Sequence, residues 1–352
     1  SHSSRAAGDP EAHEGVAVAL NVAKEGQEMK SRWVVVLVVG LAFLAVVPLA
    51  SAQTVMKWGV VLQPEHPFVL GMKRTAEIVA QKTNNRIQIQ VFPGAQLGTG
   101  KDMIEATVFG SEAMVTEGAA MFSQWAPRLS ILEAPYLFRD VDHMVKAVKS
   151  PVGQDMVDEL TTKRGLRSLG VLYYGVRHLT ANKAVHTPND VKGMKLRVPE
   201  VPLYLEMARA WGANPTPMAF AELYLALKQG TVDAEENPIP TINSGKFYEV
   251  QKYLILTGHI MVPQLHVISD KLWKSLSAGD QKILQEAVDE GIVLSNGMII
   301  KQEQSLLDEF KQKGMQVITP DVEAFKKASM AILPKMEGVW GKGLYEKLQA
   351  IR

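Results

Sequence analysis

The stretch Gly193-Met194-Lys195-Leu196-Arg197-Val198-Pro199-Glu200, followed by Pro215-Thr216-Pro217-Met218-Ala219-Phe220 and Val232-Asp233-Ala234-Glu235-Glu236-Asn237-Pro238, decides how this 352-residue chain folds. Lys195–Val198 reads as a short buried strand with Arg197 at its end, and Phe220 opens a helix. Asn237 stands directly before a proline, where the backbone is pushed out of the helical region. Strand, helix and strand again is the β-α-β pattern of a mostly parallel sheet flanked by helices. Three ligand-competent side chains at three such ends describe one pocket, because open α/β sheets hold ligands at the carboxyl ends of their strands.

The same pattern extends upstream. Val55 to Leu62 reads as a buried strand and Pro67 to Thr83 as a helix with proline in its first turn. Ile87–Phe92 alternates strictly, Gly100–Phe109 is a helix stopped by Gly110, and Ala113–Val115 is a further strand. Met121 to Phe138, with Pro127 and Pro135, has little periodicity and reads as a loop; helices are expected from Asp140 to Lys149 and from Pro151 to Lys163. Leu169–Tyr174 is apolar enough to be covered on both faces, and Gly175-Val176-Arg177 after it is a natural exit from a first domain.

Downstream, Leu254–Leu256 and Pro263–Ser269 read as separate strands. From Ser277 to Lys313 apolar residues keep a helical period, with Ser277 and Asp280 as a capping pair and Gly314 as the stop. One helix of about 54 Å and a pair kinked at Gly297 both fit this pattern.

A chain of this length divides naturally into two domains. The expected division is a removed extension over 1–52, a first lobe of 53–175 with 263–300, and a second of 176–262 with 301–352. Charge is balanced, 38 basic against 37 acidic residues, which implies no nucleic-acid partner. Met29-Lys30-Ser31-Arg32, the apolar run Trp33–Leu49 and Ala50-Ser51-Ala52 form a secretory leader with cleavage near Ala52-Gln53; an uncleaved anchor is the other reading. Cysteine is absent, so disulfides and thiolate metal sites are excluded.

Enzyme signatures are missing: no nucleophile elbow, phosphate loop or zinc-binding His-Glu-x-x-His. The histidines have no metal spacing, and no metal or cofactor is expected. Arg177 and Arg197 each follow apolar residues at a strand end, and with the Asn237 amide they can orient and neutralise one carboxylate. The plain alternative for each arginine is a salt bridge, with Glu236 and Glu200 available. Phe220 also reads as a core residue, and Glu117 either accepts from ligand hydroxyls or caps Ala119 and Ala120.

Met194–Pro199, Gly212–Phe220, the Glu236-Asn237-Pro238 corner and Lys246–Tyr253 resemble the extracytoplasmic substrate-binding proteins of TRAP (tripartite ATP-independent periplasmic) transporters, over Val55 to about Leu348. The resemblance implies a two-lobe α/β periplasmic-binding-protein fold with a long helix shared by both lobes. It implies a periplasmic receptor that captures an organic acid and delivers it to small and large membrane subunits. The position of Arg197 then holds the substrate carboxylate, helped by Arg177 and Asn237, while Phe220, Glu117 and His259 match pocket positions of the sialic-acid branch.

Val61 and Thr99-Gly100 stand where that branch places polar side chains, so a smaller or less hydroxylated acid is expected. Glu200 in place of a neutral residue favours one carboxylate over two. Sialic acid or a sugar acid remains the alternative within the family. Readings of another class are an exported enzyme using Glu117 and His259 as an acid–base pair, and a ligand-sensing domain.

Overall fold

The alternation of Ile87-Gln88-Ile89-Gln90-Val91-Phe92 and the apolar character of β1 put one side of each strand into the core. In the computed structural model, which describes residues 53–352, β1 (Thr54–Gly59), β2 (Ile87–Phe92) and β3 (Met114–Gly118) are parallel neighbours. The expected leader and its cleavage point lie outside the described residues.

β4 (Leu166–Ala181), β5 (Lys195–Val198), β6 (Asn214–Pro217), β7 (Ala234–Pro238), β8 (Tyr253–Ser269) and β9 (Gln316–Ile318) complete one sheet. Its order is β2-β1-β3-β8-β4-β7-β5-β6, with β9 on β8. Parallel pairs β1–β2, β1–β3, β5–β6 and β5–β7 form the two ends. The long antiparallel pair β4–β8 joins them.

That pair corrects two expectations. The strand expected at 169–174 is longer at both ends, and β4 runs from Leu166 to Ala181. The two short strands expected at 254–256 and 263–269 are one 17-residue strand, β8. The register slips between Tyr173 and Val176 and between Arg177 and Leu179. Pro263 lies opposite Tyr173, at the edge of a ladder already interrupted, so a residue without an N–H is tolerated there. Gly175 and Gly258 take φ of 118° and 56°, bends that side-chain-bearing residues resist. The stretch expected as a loop contains two 3₁₀ helices, Ala119–Gln124 and Pro127–Glu133.

The long helix Ala278–Gln312 is continuous through Gly297, which resolves the two readings of its pattern in favour of one helix. It holds the irregular part of β4 by side chains. Gln285 donates to the Leu169 carbonyl at 2.7 Å, and Asn296 Oδ1 accepts from the Tyr173 N–H at 3.0 Å. Glu303 accepts from the Val176 N–H and the Tyr173 hydroxyl, both at 2.8 Å. Backbone donors that the slipped ladder leaves over are thus paired.

Helix Pro67–Lys82 packs along the other side of the long helix, backbone to backbone at Gly71 and Gly291. A Cβ on Gly291 would meet Thr75 Oγ1 at 2.3 Å and the Gly71 carbonyl oxygen at 2.7 Å. A Cβ on Gly297, six residues on, would have nothing within 4 Å among the described residues. Gly291→Ala should therefore destabilise the protein by about 1–3 kcal/mol through overpacking, while Gly297→Ala should stabilise it by about 0.5–1 kcal/mol through backbone entropy. Thermal melts of the two variants are expected to shift in opposite directions; equal shifts would show that the glycine contact does not set the helix spacing.

Candidate functional site

Arg177 lies in β4 opposite Pro238 of β7, and Arg197 lies in β5, which pairs with β7 through Leu196 and Ala234. β7 therefore stands between the two arginines and supplies Glu235, Glu236 and Asn237 to the space around them. The plain reading of a strand-end arginine holds for Arg177. Its Nε and Nη2 both reach the Glu236 carboxylate, the latter at 2.8 Å, and its guanidinium lies 5.1 Å over the Tyr204 ring. Burial opposes charge at both groups; Glu236 nevertheless holds Arg177 well above its ordinary pKa, and Arg177 holds Glu236 below its own.

Arg197 differs. It is 3% exposed, donates from Nε and Nη2 to the Met218 carbonyl at 3.1 and 2.8 Å, and has no carboxylate in ion-pair contact among the described residues. Burial lowers its pKa, partly offset by Glu236. Phe220 lies beneath it, 6.0 Å from guanidinium to ring centroid. On both arginines Nη1 has no hydrogen bond among the described residues.

These groups face a cavity of about 90 Å³. Its wall includes Arg177, Arg197, Phe220 and Asn237 from one end of the sheet and Val61, Thr99, Gly100 and Glu117 from the other. A larger cavity of about 390 Å³ adjoins it through Lys101, Met121, Glu200 and Val201 but contains neither arginine, so the chemistry assigns the site to the smaller one. Asn237 donates to Glu235 at 2.7 Å, which leaves its carbonyl oxygen without a partner among the described residues. Glu235 also accepts from Thr180 at 2.8 Å, and burial pushes its pKa up to about 7.

Glu117 occupies the space left by the missing side chain of Gly100, where a Cβ would lie 2.3 Å from its Oε1. Burial pushes its pKa up to about 8, helped by Glu133 and opposed by the Gly118 N–H and Arg197. At neutral pH it is mostly uncharged. It does not cap Ala120; Glu133 does, accepting from that N–H at 2.8 Å.

His259 is not among the residues lining the cavity. It is fully buried behind Glu236, to which its Nε2 bonds at 3.0 Å, while Nδ1 bonds Thr257 Oγ1 at 2.8 Å and Trp211 meets the ring edge-on at 5.0 Å. Burial lowers its pKa despite Glu236. The structure thus brings five of the six expected residues to one cavity and puts the sixth two hydrogen bonds behind it, through Glu236 and Arg177. Among the described residues no three His, Asp or Glu side chains are grouped to hold a metal.

Sequence reasoning missed five polar members of the wall: Lys101, Glu133, Tyr174, Tyr204 and Gln264. Tyr174 ends the strand expected at 169–174, so its place was available to inspection. Glu133 lies in the aperiodic stretch, and only the Tyr204 hydroxyl bond and the Ala120 N–H reveal its role.

A model of the family described as bacterial extracellular solute-binding protein, family 7, matches residues 58–338. The chain is 34% identical over 301 residues to the sialic acid-binding periplasmic protein SiaP of Vibrio cholerae, covering 86% of this chain and 94% of that one. It is 34% identical over 261 residues to the 2,3-diketo-L-gulonate-binding periplasmic protein YiaO of Escherichia coli, covering 74% and 79%. Among solved structures, a TRAP periplasmic solute-binding protein from Polaromonas sp. JS666 bound to D-erythronate matches with a TM-score of 0.81 and 33% identity over 85% of this chain and 99% of that chain. With the fold, the paired arginines and the 58–338 match in agreement, the chain belongs to the bacterial extracellular solute-binding proteins of family 7, the solute receptors of TRAP transport, and shares their two-lobe α/β fold.

Proposed function

We propose that this protein captures an organic acid by its carboxylate in the periplasm and delivers it to the small and large membrane subunits of a TRAP transporter. The observation that carries the reading is Arg197, a buried guanidinium whose only hydrogen-bond acceptor among the described residues is a neutral carbonyl. A buried charge left unpaired is costly, and an incoming carboxylate removes that cost. Arg177 Nη1 and the Asn237 amide assist, and Phe220 packs against the Arg197 face. The named ligands of the relatives, sialic acid, 2,3-diketo-L-gulonate and D-erythronate, are all acids, which supports the class.

On this reading the lobes of 53–175 with 263–300 and 176–262 with 301–352 close on the ligand. The closed form is what the membrane subunits recognise, since a ligand shifts a hinge equilibrium only by binding one state better. Two contributions to one cavity, Glu117 from β3 and Arg197 from β5, support such closure. The Glu117–His259 pair of an exported enzyme has less support, because both ring nitrogens of His259 are already hydrogen-bonded.

Calorimetry against a panel of organic acids tests the core of the reading. Arg197→Ala should weaken the best ligand at least ~30-fold, about 2 kcal/mol or more, and Arg197→Lys should recover only part of it. Unchanged affinity in Arg197→Ala would remove the arginine from the site.

Glu117 gives a pH dependence. Its pKa is raised to about 8, so the stability it contributes is fully present below the ordinary value of 4.5 and is lost as pH rises through about 8. Once ionised, it offers Arg197 the anion that the ligand otherwise supplies. Affinity should therefore fall above pH 8, towards about tenfold per pH unit, and Glu117→Gln should flatten that profile. A wild-type profile that stays flat to pH 10 would refute the coupling.

For export, N-terminal sequencing of protein recovered from the periplasm of cells expressing the chain from Met29 should begin at Gln53. Retention in the membrane fraction with the leader attached would favour the anchor.

A further inference from the structure

We infer that Gln264 is a specificity-determining residue of this receptor, its buried carboxamide reading a hydroxyl group of the bound acid. The inference rests on the carboxylate-receptor reading above and names what the other end of the ligand carries. Gln264 belongs to β8, between β3 and β4, where it stands opposite Gly118 on one side and Leu172 on the other. Its backbone is held in both ladders, so the side chain has a fixed origin. The facing residue on β3, Gly118, has no side chain of its own, the space over it being taken by the Glu133 carboxylate, and both residues line the cavity.

Gln264 is 7% exposed, and its Oε1 is buried with no hydrogen-bond partner among the described residues. Buried polar atoms in folded proteins are paired in the great majority of cases, and an amide has capacity for several bonds. A carboxamide on a ligand cavity that the protein leaves unpaired is therefore completed by the ligand. A half-turn of the amide exchanges its oxygen and nitrogen, so it serves a group that both donates and accepts. A hydroxyl has that character.

A second ligand carboxylate suits this end less well: the carboxamide carries no charge to offset it, Glu200 shares the wall with the one ammonium of Lys101, and the Arg197 charge is already assigned. Apolar side chains of Val61, Met121 and Val262, the last two residues back on the same strand, share the wall with the polar Thr99, Lys101, Tyr174 and Tyr204. Among the polar residues of the wall Gln264 is the one with a buried oxygen that has no partner among the described residues, so the hydroxyl it meets carries the discrimination. An acid lacking it leaves the amide unpaired, the situation in which sites reject an analogue most strongly.

The test measures binding by calorimetry to two matched pairs, D-erythronate against butyrate and L-galactonate against hexanoate, for wild type and Gln264→Leu. Wild type should bind the better hydroxy acid at least about tenfold tighter than its hydroxyl-free partner. Gln264→Leu should bring that ratio to within about threefold, by weakening the hydroxy acid and leaving the hydroxyl-free acid unchanged. If the leucine variant melts early, Gln264→Met keeps side-chain length and serves instead, and the wild-type ratios alone still decide whether a hydroxyl is read.

Equal loss for both members of a pair, no change for either, or no wild-type preference for a hydroxyl would overturn the role of Gln264. Failure of the receptor reading looks different: no acid binds, or binding is indifferent to Arg197→Ala.

Discussion

Arg177 and Glu236 neutralise each other inside the protein, Glu236 fully buried and Arg177 open only to the cavity, and the rest of the site depends on that pair. Glu236 accepts from Arg177 on one side and from His259 on the other, so its charge is held in place by two buried partners. Because Glu236 is committed there, it forms no ion pair with Arg197. One guanidinium becomes part of the wall, while the other keeps an electrostatic demand that a carboxylate meets. Burial strengthens the demand, since water cannot screen it. The same burial keeps Glu117 on the wall mostly protonated near neutral pH, and Glu235, bonded to Asn237, partly so, and neither cancels Arg197.

The frame that holds these charges is the antiparallel pair β4–β8. Each strand is long enough to belong to both ends of the sheet, and each is irregular at the middle. Arg177 sits at that irregularity, directly after Val176, whose N–H is held by Glu303 of the long helix. The close glycine contact between the long helix and helix Pro67–Lys82 fixes the other side of that support. Site geometry and core packing are therefore connected through a short path: glycine contact, long helix, Glu303, β4, Arg177.

Much of this was legible in the sequence. The strict alternation of Ile87–Phe92, the Gly110 stop, the Lys195–Val198 strand and the capping pair of Ser277 and Asp280 are local signals, and the corresponding elements formed where those signals stand. Reading failed where local and non-local demands diverge. Leu254–Leu256 and Pro263–Ser269 read as separate strands, yet β8 is continuous through Gly258 and Pro263, because pairing along β4 outweighs a bend and one missing donor. The aperiodic stretch around Glu133 folds as 3₁₀ turns whose only purpose visible in sequence was to be neither helix nor strand.

The sequence by itself determined the residue types and their approximate places: two arginines at strand ends, an amide before a proline, an aromatic at a helix start, and a family resemblance that names their task. Only the tertiary structure decided which arginine is free. Whether a guanidinium is neutralised depends on a carboxylate 59 residues away in the chain and in hydrogen-bond contact in space. The same holds for Gln264, an ordinary strand residue in sequence. That its Oε1 has no partner among the described residues becomes visible only when its spatial neighbours are in place. Hydrogen bonds and ion pairs act over a few ångströms, and periodicity along the chain carries no record of which distant groups meet.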